Sequence, residues 1–227
     1  MRGFDAYTGR VQLRQIRLCC ALALAASLAS CKRAPTATEG DHFQFGSYQD
    51  SEGNYRFEAP LGWQPSTEER VEKPAASVFF RGYEPVNGQE VPIDAAVLVS
   101  KLPRRPEFFG SREDFERFRR TTLLQVDALF GPPSPELQEP LRSLIAKNTK
   151  DITVAGIPGK TYHRDYDYVD PKGPPGSKPL PISLEEIVLK TPDAYYVLEY
   201  RARRDLFDKY HFAADRLKST FQPGSAS

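Results

Sequence analysis

Ile93-Asp-Ala-Ala-Val-Leu-Val-Ser-Lys-Leu102 is the stretch on which the fold turns. A half-buried strand alternates apolar and polar residues, but Val97, Leu98 and Val99 are apolar on both faces. A strand of that kind needs cover on both sides. It therefore predicts the central strand of a layered fold.

Toward the N-terminus, Ser77-Val-Phe-Phe-Arg81 reads as a second short strand, and Asn87-Gly88 between the two marks a hairpin turn. Asn54-Tyr-Arg-Phe-Glu-Ala59 alternates as a strand and is turned by Pro60-Leu-Gly-Trp63. Trp63, the single tryptophan, is expected to anchor the core.

Toward the C-terminus the period changes. Phe115, Phe118, Thr122, Val126 and Leu129 recur at helical spacing, so Ser111–Phe130 is expected to be a helix. Ser111 is a favourable N-cap, Glu113 and Asp114 suit the first turn, and Gly131-Pro132-Pro133 ends the run. Residues 151–160 read as strand, turn, strand, and Thr161–Val169 as an alternating strand. Pro171–Pro181 contains five prolines and two glycines, which suits the projecting tip of a hairpin. Leu184–Lys190 and Tyr195–Ala202 are two more strands. Phe207, Tyr210, Ala214, Leu217 and Phe221 form one apolar stripe, so Asp205–Phe221 is expected to be the closing helix.

This order predicts an α+β fold: a twisted antiparallel sheet of about six to eight strands with helices on its faces. It argues against a doubly wound nucleotide-binding fold.

The first thirty residues read differently. Arg10, Arg14 and Arg17 precede an apolar run from Leu18 to Leu28, and Leu28-Ala-Ser-Cys31 follows. Basic, apolar and small zones in that order make a secretory signal. The eleven-residue run is short of the ~20 that a spanning helix needs. Leu28–Cys31 resembles a bacterial lipobox, which implies cleavage before Cys31 and lipidation of its thiol. The expected organisation is a signal peptide at 1–30, a lipidated cysteine and flexible tether at 31–42, one domain at 43–222 and a disordered tail at 223–227. Lys32, where aspartate would retain a lipoprotein at the inner membrane in some sorting systems, points to the outer membrane.

Removing residues 1–30 takes away four basic and one acidic side chain and leaves 27 basic and 29 acidic. That balance argues against nucleic acid as a partner. It also leaves no cysteine beyond Cys31, hence no disulfide, no cysteine nucleophile and no thiolate metal site.

Three constellations could bear chemistry or recognition. His163, Asp165 and Asp167 alternate and so share one strand face, where an imidazole and two carboxylates could meet a divalent cation. Same-face neighbours stand about 7 Å apart, however, so the plainer reading is a wet edge face, with Tyr162, Tyr166 and Tyr168 packed inward. The other histidines are His42, in the tether region, and His211, on the last helix. Arg112, Arg117, Arg119 and Arg120 cluster on the first helix and are candidates for an acidic partner or lipid, against the plainer reading of a solvated face. Pro174 and Pro175, in the proline-rich loop, are candidates for partner contact. Nucleophile elbows, phosphate-cradling loops and paired carboxylates are missing; Glu185 and Glu186 are chain neighbours that point to opposite faces. No catalytic residue, metal or cofactor is expected.

Tyr55-Arg-Phe-Glu-Ala-Pro-Leu-Gly-Trp63, with Tyr196-Val-Leu-Glu-Tyr200 and a closing helix ending in Ser219-Thr-Phe221, resembles the PsbP-like and DcrB-like domains. That resemblance implies an α/β/α sandwich and mostly non-catalytic assembly or accessory roles, with no catalytic residue to carry over. The leading expectation is a lipid-anchored, non-catalytic envelope domain that binds or supports another envelope protein. Two others are kept. One is a receptor for a small ligand or cation, in the space between sheet and helix or on the His163 face. The other is a hydrolase using His163 and Asp165, which requires a concave site around them.

Overall fold

The structure is a computed structural model that describes residues 44–66, 76–131, 149–169 and 176–224. Two antiparallel sheets make the fold, which is α+β as expected. Strands β1 (Phe45–Gln49), β2 (Tyr55–Pro60) and β10 (Gln222–Pro223) form a small sheet in the order β1-β2-β10. The large sheet runs β3 (Gln64–Ser66), β4 (Ala76–Val86), β5 (Gln89–Pro103), β9 (Ala194–Arg203), β8 (Leu180–Lys190), β7 (Ile157–Tyr168), β6 (Lys150–Val154).

β5 lies inside this sheet, and the reason is its two apolar faces. Val97 and Val99 point to one core, while Leu98 and Ala96 meet Phe79 on the other side. The β4–β5 turn is closed by Asn87 at φ 52° and Gly88 at φ 78°, the left-handed pair that a tight two-residue hairpin turn demands.

The first helical run follows β5. It comprises α1 (Arg112–Phe118), a π-helical turn (Arg119–Leu123) and α2 (Leu124–Asp127). Ser111 caps it, its hydroxyl accepting from Asp114 N–H at 3.1 Å. A π turn adds a residue to the repeat, and this corrects one expectation. Leu123, not Thr122, is the buried residue, packing with Leu102, Val188, Tyr195 and Val197.

The other face of the large sheet is covered by the small sheet and by α3 (Phe207–Tyr210) and α4 (Phe212–Thr220). The expected stripe is in place, with Tyr210, Ala214, Leu217 and Phe221 all buried. The helix itself is interrupted at His211 instead of running unbroken. Aromatic rings join the two sheets. Tyr48 and Phe57 meet Phe80 at 5.1 Å and 5.5 Å, and the Tyr55 hydroxyl donates to Val99 O at 3.3 Å. Trp63 is buried against Tyr210 at 6.4 Å, as its role of core anchor requires.

Past the last helix, Pro223 belongs to β10, and Gly224 N–H donates to Asn54 O at 2.7 Å. The signal segment, Cys31, His42, Pro174 and Pro175 lie outside the described residues. No helix of the described residues is long and apolar enough to cross a membrane.

Candidate functional site

Alternation along β7 splits its side chains between two faces. Tyr162, Arg164, Tyr166 and Tyr168 go one way, and His163, Asp165 and Asp167 go the other. The register with β8 sets Tyr162 opposite Glu186, and the register of β8 with β9 sets Glu186 opposite Glu199. Arg201, two residues along β9, shares the face of Glu199. Five polar side chains thus meet on the face that the first helical run covers only in part.

The Tyr162 hydroxyl donates to Glu186 Oε1 at 2.6 Å. Arg201 Nη1 stands 3.8 Å from Glu199 Oε1, and its guanidinium lies 4.7 Å from the centre of the Phe79 ring. Arg164 lies 5.3 Å from the centre of the Tyr166 ring. Arg164 Nε and Glu199 Oε1 are buried without a hydrogen-bond partner.

Burial pushes the Glu186 carboxyl up to about 7, and the Glu199 charge adds to the rise. Burial, then the Glu186 charge, also raises the Tyr162 phenol well above its usual range. For Arg164, burial opposes the charge, but Tyr162, Glu186 and Glu199 outweigh it and hold the guanidinium charged. Near neutrality the cluster can therefore take up or release one proton. With Glu186 protonated, two guanidiniums face one carboxylate, so the site favours an anion. With Glu186 ionised, its formal charges balance.

The sequence reading missed this pair. Glu186 and Glu199 are thirteen residues apart on separate strands, and the local pattern sets Glu186 only beside its chain neighbour Glu185. The opposite-face reading of Glu185 and Glu186 holds: Glu185 meets His211 Nε2 at 2.8 Å, on the side away from Tyr162. The one usable signal was that both glutamates lie five residues from the ends of the four-residue turn at 191–194.

His163, Asp165 and Asp167 do share a face. His163 Nε2 lies 3.4 Å from Asp165 Oδ1, Ser183 donates to the same oxygen at 2.6 Å, and Arg204 stands 3.8 Å from each aspartate. The guanidinium occupies the place a cation would take. His163 and Asp165 are about half exposed, at 52% and 50% of their side-chain surface. Among the described residues no group of three or more His, Cys, Asp or Glu is placed to hold a metal ion.

On the first helical run, Arg117 pairs with Asp114 and Arg119 with Glu116. Arg112 and Arg120 are exposed, and Arg120 borders an open groove of about 270 Å³ with Glu113, Glu116, Arg117 and Thr121. Between the large sheet and α4 the gap is about 10 Å³, lined by Glu185, Tyr200 and Lys218 among others. That is room for about one water molecule.

No family model and no curated protein matches the chain. Among solved structures, a Bacteroides thetaiotaomicron protein is similar at 8% identity and a TM-score of 0.46, covering 79% of this chain and 48% of its own. This chain thus spans about half the length of that protein. The cyanobacterial PsbP of Synechocystis is similar at 14% identity and a TM-score of 0.35, covering 83% of this chain and 98% of its own. LpqN of Mycobacterium tuberculosis, described as involved in cell envelope biogenesis, is similar at 11% identity and a TM-score of 0.33, covering 84% and 99%. These are likenesses of chain course.

Proposed function

We propose that this chain is a lipid-anchored, non-catalytic domain of the cell envelope, facing the periplasm, that binds or supports another envelope protein. The observation that carries the reading is the sequence of zones at the N-terminus: Arg10 to Arg17, the apolar run to Leu28, then Leu28-Ala-Ser-Cys31. The ion-pairing of the side chains best suited to chemistry supports it. Asp165 and Asp167 face Arg204, and His211 is held between Glu185 and Asp215. The arginines of the first helical run and the Pro174–Pro175 loop are the surfaces offered to a partner. Lys32 directs the protein to the outer membrane.

The test is membrane fractionation of cells making the native chain or Cys31→Ala, followed by mass analysis of the N-terminal peptide. The native chain is expected in the outer-membrane fraction with acylated Cys31, and the variant is expected outside it. Unchanged membrane retention of the variant overturns the anchor. Recovery wholly with the inner membrane overturns the placement. Crosslinking in intact cells tests the partner.

A receptor reading is favoured by one separate observation, two buried atoms of the Glu186 cluster that make no hydrogen bond, Arg164 Nε and Glu199 Oε1. Buried polar atoms of native proteins are nearly always satisfied, so a small anionic or polar ligand would find donors and acceptors there. Native mass spectrometry of protein purified from its own envelope separates the readings: a retained small molecule favours the receptor and a retained protein favours the adaptor.

A further inference from the structure

Five large hydrophobic residues are exposed among the described residues: Leu61, Val86, Val91, Phe108 and Val169. Three of them gather at one end of the molecule. Val86 and Val91 belong to the β4–β5 arm, where Glu84 pairs with Val91 and Val86 with Gln89. Glu84 accepts from Lys209 at 2.6 Å and from Tyr210, so this face of the arm turns toward α3. Leu61 is in the turn after β2. Gln64, three residues on, pairs with Arg81 on β4 and donates to Glu90 Oε2 at 3.1 Å. The Leu61 turn therefore lies beside the arm.

The chain enters the domain at this same end. Leu61 N–H donates to Gln44 O at 2.7 Å, and Leu61 packs over Gly46 of β1. Thirteen residues separate Gln44 from the end of the signal, counting Cys31, and in any conformation they reach at most roughly 45 Å. Phe108 lies past the far end of β5, whose fifteen residues span about that same distance.

We infer that this end of the domain rests on the lipid surface, with Leu61, Val86 and Val91 entering the headgroup boundary. The inference rests on the lipid-anchor reading above. A short tether keeps the end it leaves from at high local concentration over the bilayer. Each apolar side chain then gains by leaving water. Ionic attraction contributes little, because no cation here is free of a carboxylate among the pairs Glu84 with Lys209 and Arg203 with Asp94 and Asp205, and Glu90 beside them adds a negative charge. The opposite end, with Phe108 and the arginines of the first helical run, is left facing the periplasm and its partners.

The mature chain has no thiol other than Cys31, so an introduced cysteine is unique. We would label Leu61→Cys, Val86→Cys, Val91→Cys and Phe108→Cys with an environment-sensitive fluorophore in the lipidated full chain. Each is reconstituted in phosphatidylethanolamine–phosphatidylglycerol vesicles with and without nitroxide lipids. The expected result is blue-shifted, lipid-quenched emission at 61, 86 and 91 and water-like emission at 108, unchanged in high salt. Water-like emission at all four sites of a vesicle-bound protein overturns the inference and leaves the anchor standing. Equal quenching at 108, or loss of the contact in high salt, also overturns it. A chain that carries no lipid and stays off the vesicles overturns the anchor reading and this inference with it.

Discussion

Glu186 on β8 stands directly across from Glu199 on β9, two carboxylates on one rung of the sheet. Side chains so placed are about 5 Å apart at Cβ, and like charges there repel. The fold answers by raising Glu186 to about 7 and by setting Arg201 beside Glu199.

That arrangement sets a pH dependence. The folded-state value of Glu186 lies above its ordinary value of 4.5. Between these values the folded protein holds a proton that the unfolded chain releases, so stability falls as pH rises through the window. The full loss, on the order of 3 kcal/mol, is present above about pH 7. Glu186→Gln keeps the shape and can still accept from Tyr162. It should match the native protein near about pH 4 and exceed it near about pH 8. Urea unfolding at both pH values checks this, and a native stability curve that stays flat between them contradicts it.

Tyr195 is fully buried beneath the first helical run, stacked on Phe130 at 5.5 Å, with Arg104 4.6 Å from the ring centre. Its hydroxyl donates to the Asp127 carboxylate at the end of α2. Burial, then the bond to Asp127, raises its phenol far above the ordinary value, so the proton stays on. Tyr195→Phe should cost about 1–2 kcal/mol. Amides of residues 124–130 should exchange faster, as hydrogen-exchange mass spectrometry would read. Unchanged exchange there would show that packing alone holds the helix down.

Gly159 on β7 is paired with Leu189 on β8. A Cβ at this position would collide with the Val188 carbonyl oxygen and come within 2.7 Å of Leu189 Cδ2. The carbonyl is held in the sheet and cannot move aside. Gly159→Ala should therefore destabilise by about 1–3 kcal/mol, a drop of several degrees in Tm. A thermal melt within about one degree of native would refute this close approach.

The β6–β7 turn places Ala155 at φ 52° before Gly156 at φ 77°. The left-handed conformation costs a residue with a Cβ about 1 kcal/mol, and asparagine tolerates it better. Ala155→Asn should raise stability by a fraction of that, up to about 1 kcal/mol. Chemical denaturation checks the sign, and a lower midpoint would mean the turn has a different geometry.

Much of the fold was legible because it depends on near neighbours. Asn87-Gly88 specifies its turn, Ser111 its cap, and the Phe207-to-Phe221 stripe its buried face, whatever the rest of the chain does. The His163 face was legible for the same reason, since alternation alone puts Asp165 and Asp167 beside it. Arg204, which stands between those aspartates, comes from another element and left no trace in the local pattern.

The kinds of element and their order follow from local sequence, because turn chemistry and hydrophobic period act over a few residues. The sequence also supplied the N-terminal segment from which the envelope placement is proposed. Which strands meet is a matter of long-range packing. β2 stands outside the large sheet and pairs with β10, setting Arg56 against Gln222 with a 2.7 Å hydrogen bond across 166 positions. The π turn ends in Leu123, which packs with Leu102, Val188, Tyr195 and Val197 from the sheet. Glu186 found Glu199, and Leu61 came to lie beside the β4–β5 arm, through pairings of whole strands. A slip of one residue would have turned every such side chain to the other face. That register is fixed by the packing of two buried faces at once, and no local stretch contains it.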